Sequence, residues 1–303
     1  MILIIKSESL SPKWEKDTLT LAVQAILRSL DFSIDISCVA HLFFTHSFAE
    51  DIQQFQLEEG LPVTKITNND DYAAGGKTVR LLSGKSAIFI RSYLLPPLLE
   101  YPHNQFSALA LHILHHELAH AHDYYVNRTI YASILPAWSH PDYFVASTMW
   151  GEYIAERLSA ITNTDIESAT NDFICSFPGI KREVENAKHR CITGGRDSFI
   201  TLFNEIHARF IGFFILQFCR LAGYYHATDA RIDDFLTTLA CAPGFDFSLL
   251  QNIENALRTL YDKYPDWESK DILVELAEAY YAGWKLFGIE YLPKNGLPYG
   301  TLL

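Results

Sequence analysis

Cysteine is scarce in this chain and scattered. The five residues Cys38, Cys175, Cys191, Cys219 and Cys241 are odd in number, widely spaced and contain no CxxC pair. That argues against a disulfide framework and a cysteine zinc knuckle, and suits a reducing compartment. Basic residues are short as well: 24 Lys and Arg face 36 Asp and Glu, a formal net charge of −12. This balance favours neither nucleic acid nor an anionic membrane as partner, and mildly favours basic substrates. Long apolar runs are missing. The most apolar stretch, residues 210–218 and on toward Tyr225, is interrupted by Gln217 and Arg220. It falls short of the ~18–20 apolar residues of a membrane span, so a buried core helix is expected. The apolar run at the start is too short for the core of a signal peptide, and Lys6 and Glu8 follow it directly. It is expected to form a strand, and the protein to be cytoplasmic. There is no internal repeat and no low-complexity segment.

What remains is a globular sequence: 303 residues, 49% hydrophobic and 14% aromatic, enough for one large domain or two packed lobes. Strands are expected at residues 2–6, in one or two pieces over 32–45, and in a hairpin of 77–82 and 86–92 around Ser83-Gly84-Lys85. Helices are expected over 11–30, with Pro12 in the first turn, and over 49–59. Residues 61–76 read as loop. From about 104 or 107 to 125 apolar positions recur at helical spacing, and a second helix is expected over 147–161. Residues 127–146, with Pro136 and Pro141, are a candidate wall or lid. After Thr162 the chain reads as helical: 165–173, 180–188, 198–225, 231–240, 247–263 and 269–287, with turns near 177–179, 193–195 and 242–244. Strands mainly precede residue 104 and helices follow it. The expected class is therefore α+β, a small sheet-and-helix lobe over 1–162 and a helical lobe over 163–303.

The chemistry lies in Leu114–Asp123, LHHELAHAHD, which holds an HExxH motif, His116-Glu117-Leu118-Ala119-His120. Histidines at i and i+4 share one helix face and can hold one metal ion, and Glu117 beside them can act as general base on a metal-activated water. An accidental HExxH arises on the order of one time in a hundred in a chain of this length, so its surroundings decide. Six residues beyond His120, where some zinc peptidases carry a third histidine, stands Val126. His112 and Asp123 share the motif face, but seven or eight residues span roughly 10–12 Å, too far for three ligands to one ion. Asp123 then reads as supporting or solvated, and His112 as a possible partner of His116 in a competing pair. His115 and His122 point off the ligand face. The next helix offers Glu152 and Glu156 on one face, with small Ala155 and Ser159 nearby. They are either a third ligand with a partner acid, or a solvated, arginine-paired surface.

With these residues the sequence resembles the gluzincin zinc metallopeptidases, over about residues 77–160. The resemblance implies a zincin-like fold and Zn2+ held by His116, His120 and Glu152. It also implies Glu117 as general base, and Glu156 as the acid orienting a ligand histidine. It implies an extended peptide or protein substrate added to an exposed strand near the cleft, taken as residues 86–92, and the chemistry of an endopeptidase. A tyrosine or histidine should stabilise the oxyanion; His207, Tyr224, Tyr225 and His226 are candidates. The GxMEN-type motif of one aminopeptidase branch is absent. The alternative is a regulatory zinc-binding protein that recognises a partner through its helical half without turnover.

Overall fold

A computed structural model describes the backbone of residues 1–6, 16–30, 34–63, 68–69, 72–101, 105–135, 141–194, 197–207, 214–228, 232–240, 247–294 and 297–302. Expectations for Pro12, Phe32, Pro136, residues 208–213 and the 242–244 turn lie outside them. The chain divides into two compact units, Met1–Arg128 with Leu158–Thr164, and Thr129–Arg157 with Asp165–Leu303. The class is mixed α+β, and among the described residues no helix is long and apolar enough to cross a membrane.

In the first unit β1 (Ile2–Lys6) leads into α1 (Lys16–Leu30), a short 3-10 turn (Ile36–Cys38), β2 (Val39–Thr45) and α2 (Phe48–Glu58). The alternation ending at Cys38 thus closes in a 3-10 turn, where Asp35 accepts from the Ser37 N–H at 2.8 Å. β3 (Asn68–Asn69) and β4 (Tyr72–Ala73) form a minimal pair within the expected loop. The hairpin of β5 (Gly76–Arg80) and β6 (Ser86–Arg91) turns at Gly84, whose φ of +80° suits a residue without Cβ. The main sheet has the order β1-β2-β6-β5, with β1, β2 and β6 parallel and β5 antiparallel to β6. Strand 86–91 is therefore interior, hydrogen-bonded on both sides, and cannot accept an added strand. The edge is β5. Phe43, Phe48, Phe55, Val79 and Phe89 build the core on this sheet, Phe43 stacked on Phe89 at 4.4 Å. α3 (Leu95–Leu99) follows, and then α4 (Gln105–Val126), which carries the HExxH and packs on β5 and β6.

In the second unit α5 (Arg128–Ile134) and α6 (Pro141–Ser159) occupy much of the expected wall. Pro141 opens α6, where its missing N–H costs no helix bond, so the helix begins six residues earlier than expected. α7 (Ile166–Gly194) runs through Pro178 and Gly179, which had read as a turn. Phe173, Phe177, Ile180, Val184 and Ala187, all buried, keep one continuous apolar stripe across the proline. α8 (Asp197–Ile206), α9 (Leu216–Ala227), α10 (Ile232–Ala240), α11 (Phe247–Asp262) and α12 (Val274–Leu286) complete the helices. An antiparallel hairpin, β7 (Ile289–Lys294) and β8 (Leu297–Leu302), stands where no strand was expected. Trp150 and Tyr153 of α6, neither exposed to solvent, pack with Tyr261, Tyr264 and Trp267.

Candidate metal centre

The motif residues lie in the middle of α4, where Leu111, Leu114, Leu118 and Ala121 are buried and hold the helix down. His116 and His120, one turn apart, turn their Nε2 atoms to within 3.1 Å of each other. Two imidazole ligands on a tetrahedral zinc with Zn–N bonds of about 2.0–2.1 Å stand roughly 3.3–3.4 Å apart, so the pair fits such an ion with little adjustment. Glu117 is buried, and the Thr78 hydroxyl of β5 lies 2.7 Å from its Oε2 and 2.9 Å from its main-chain oxygen.

The other histidines of α4 are built in. His115 is fully buried, and its Nδ1 lies 3.2 Å from the Thr162 hydroxyl; His112 Nδ1 lies 3.3 Å from the same oxygen. Thr162 gives its one proton to Ser159 O at 2.7 Å. It can therefore only accept from the two rings, which makes each Nδ1 a donor and leaves Nε2 as the His112 atom able to bind a metal. His122 Nδ1 accepts from the Asp35 N–H at 3.1 Å, and burial holds its pKa below the ordinary value despite Asp123 and Asp35 nearby. Asp123, buried, accepts from Asn127 Nδ2 at 2.9 Å and is not solvated.

On α6 the two glutamates differ in exposure: the Glu152 side chain keeps 24% of its surface and Glu156 only 2%. Arg220 of α9 reaches both, Nε standing 3.9 Å from Glu152 and 3.7 Å from Glu156. Between them Tyr153 is tied into a polar chain. Arg157 donates to its hydroxyl at 2.7 Å, and that hydroxyl meets His226 Nδ1 at 2.8 Å. His226 Nε2 lies 2.9 Å from Glu254 Oε1, which also accepts from Arg258. Burial, outweighing the Arg157 charge, pushes the Tyr153 hydroxyl far above the ordinary tyrosine range. Gly223 of α9 makes the close approach to α6, because a Cβ there would collide with the Tyr153 carbonyl oxygen.

Two His/Glu groupings offer ligand atoms all within 4.8 Å of one another and are able to hold a metal ion: His112, His116 and Glu156, all buried, and His116, His120 and Glu152, the last two partly exposed. The chain matches no family model, no curated protein and no solved structure.

Of the oxyanion candidates, Tyr224 has its pKa raised by burial, with Tyr225 and Glu156 adding to it. His226 is engaged by Tyr153 and Glu254, and Tyr225 meets Thr170 Oγ1 at 3.2 Å. His207 stacks on Phe203 and stands edge-on to Tyr280, and burial lowers its pKa. Thr78 and Gly76 were missed by sequence reasoning. A signal existed, since SAIFI is the continuous apolar run of a strand covered on both faces, whereas GKTVR carries the exposed Lys77 and Arg80, as an edge strand does.

Proposed function

We propose that the protein is a zinc-dependent peptidase of zincin-like build, in which His116, His120 and Glu152 hold the ion and Glu117 is the general base. The grouping of those three ligand atoms within 4.8 Å carries this reading. Exposure chooses between the two groupings. A catalytic zinc keeps a position open to water and substrate, and a structural zinc is closed. His120 and Glu152 retain access; His112, His116 and Glu156 are all buried.

Bound zinc would lower the pKa of a water toward ~7 and polarise the scissile carbonyl. Glu117 takes a proton from the attacking water and returns it to the leaving nitrogen. Arg220, near both glutamates, offsets their mutual repulsion. Tyr224 is the better candidate for the oxyanion donor, standing one helical turn beyond Arg220 on α9, whereas His207 is packed among aromatic rings. An extended peptide adds along β5, the antiparallel edge of the sheet, in place of the interior strand expected from sequence.

The second reading is a zinc-binding protein without turnover, using His112, His116 and Glu156. Their burial and the tautomer that Thr162 imposes on His112 favour it. Zinc content after dialysis separates the two. On the peptidase reading His120→Ala and Glu152→Gln lose about one zinc and His112→Ala keeps it. Glu117→Gln keeps zinc and loses cleavage of a quenched-fluorescent peptide library. Zinc lost with His112→Ala and Glu156→Gln but retained in His120→Ala replaces the first reading by the second.

A further inference from the structure

The edge strand does more than border the sheet at the HExxH helix. Gly76 and Thr78 are alternate residues of β5, so their side-chain positions face the same way. Both face Glu117. A Cβ on Gly76 would stand 2.6 Å from Glu117 Cγ and 3.0 Å from Oε1, and the Thr78 hydroxyl lies 2.7 Å from Oε2. We propose that Gly76 and Thr78 are positioning residues for Glu117, forming a shelf that fixes its carboxylate rotamer and divides the labour of its two oxygens.

The division follows from hydrogen-bond capacity. A threonine hydroxyl has one proton to give. The Glu117 main-chain oxygen at 2.9 Å and Oε2 at 2.7 Å are both within reach of it, so that proton is shared between backbone and side chain, with the shorter contact to Oε2. Oε2 is thereby engaged, and transfer of the water's proton falls to Oε1. The missing Cβ at Gly76 leaves Oε1 its room; a methyl group there pushes the side chain off the strand. The shelf holds the base because a displacement of about 1 Å in a catalytic group can cost on the order of 100-fold in rate.

This inference rests on the reading of Glu117 as general base. It is tested with the zinc-loaded full chain and a quenched-fluorescent peptide on which the wild type is active. Thr78→Val, which keeps the shape and removes the hydroxyl, should lower kcat roughly 10- to 100-fold with KM and zinc content unchanged. Thr78→Ser should restore kcat to within about 3-fold of wild type, and Gly76→Ala should behave like Thr78→Val. An unchanged kcat in Thr78→Val, or a Thr78→Ser protein as impaired as Thr78→Val, overturns the proposal. A second measurement needs no activity. Unfolding midpoints of wild type, Thr78→Val, Glu117→Ala and the double variant should be non-additive, and additive midpoints overturn the shelf. A wild type without peptidase activity overturns the reading of the site, and the shelf then stands or falls on the cycle alone.

Discussion

Gly223→Ala sets two physical effects against each other. Gly223 lies within α9, and alanine is the better helix former by about 0.8–1 kcal/mol, so an open site would gain that much. Here the new Cβ would collide with the Tyr153 carbonyl oxygen and also stand 3.1 Å from Arg157 N and 3.2 Å from Tyr153 C. All three atoms are backbone, so no flexible side chain can swing aside, and α9 must move away from α6. Overpacking of a close contact costs about 1–3 kcal/mol, and a rigid obstacle puts this case near the upper end. Subtracting the propensity gain leaves a net loss of about 2 kcal/mol, or about 4–8 °C in Tm. Gly179→Ala in α7 is the internal control. Nothing lies within 4 Å of its added Cβ, so it should gain up to about 1 kcal/mol. Differential scanning calorimetry reads both. Because Tyr153 sits next to Glu152, Gly223→Ala should also weaken zinc retention if Glu152 holds the ion as proposed. Equal or greater stability of Gly223→Ala would refute the close contact of α6 and α9.

Other predictions concern pH. His207 has its pKa lowered by burial, and its Nδ1 has no hydrogen-bond partner among the described residues. The folded state therefore binds this proton less readily than the unfolded chain, so the stability His207 confers is complete above pH ~6.5 and lost as pH falls below it. His207→Phe should lose less Tm than wild type between pH 7 and pH 5; an equal loss counts against this placement. Burial pushes the Glu254 carboxyl up, but hydrogen bonds from His226 and Arg258 and their charges outweigh it, and the net pKa is lowered. Its contribution is present above pH ~4.5 and disappears as pH falls through the folded value. Glu254→Gln should cost about 1.5–3 kcal/mol at pH 7 and progressively less toward pH 4 in urea unfolding; a pH-independent deficit would break the argument.

Local pattern carried far in this chain. The helix bearing HExxH, the hairpin before it and the helix bearing Glu152 follow from hydrophobic period and turn residues, and each forms close to where the sequence indicates. Errors came where tertiary packing overrules a local signal. Phe177-Pro178-Gly179 is strong turn chemistry, yet burial of Phe173, Phe177, Ile180 and Val184 on one stripe outweighs the lost helix hydrogen bond. The C-terminal hairpin has Pro293 paired with Pro298 in its ladder, and prolines hide a strand from propensity. Sheet order is not local at all: a hairpin reads the same whichever of its strands joins the rest of the sheet. Thr78 and Glu117 are 39 residues apart, and only the packing of α4 on β5 brings them together.

The candidate metal site was legible to the level of spacing and no further. Histidines 112, 116 and 120 and glutamates 152 and 156 repeat every four residues, one helical turn each. Three histidines on one helix cannot serve one ion, but they make two overlapping pairs, and two glutamates one turn apart can complete both. His116 belongs to each grouping. Its loss should abolish metal binding on either reading, so the HExxH histidine most diagnostic in the sequence is the least informative to mutate. The informative residues are the ends of the ladder. His112 is buried with its Nδ1 committed to Thr162, and His120 is partly exposed with Nε2 facing His116. An ion that must meet water and a peptide carbonyl needs the exposed end, and an ion that only braces a helix is served equally by the buried one.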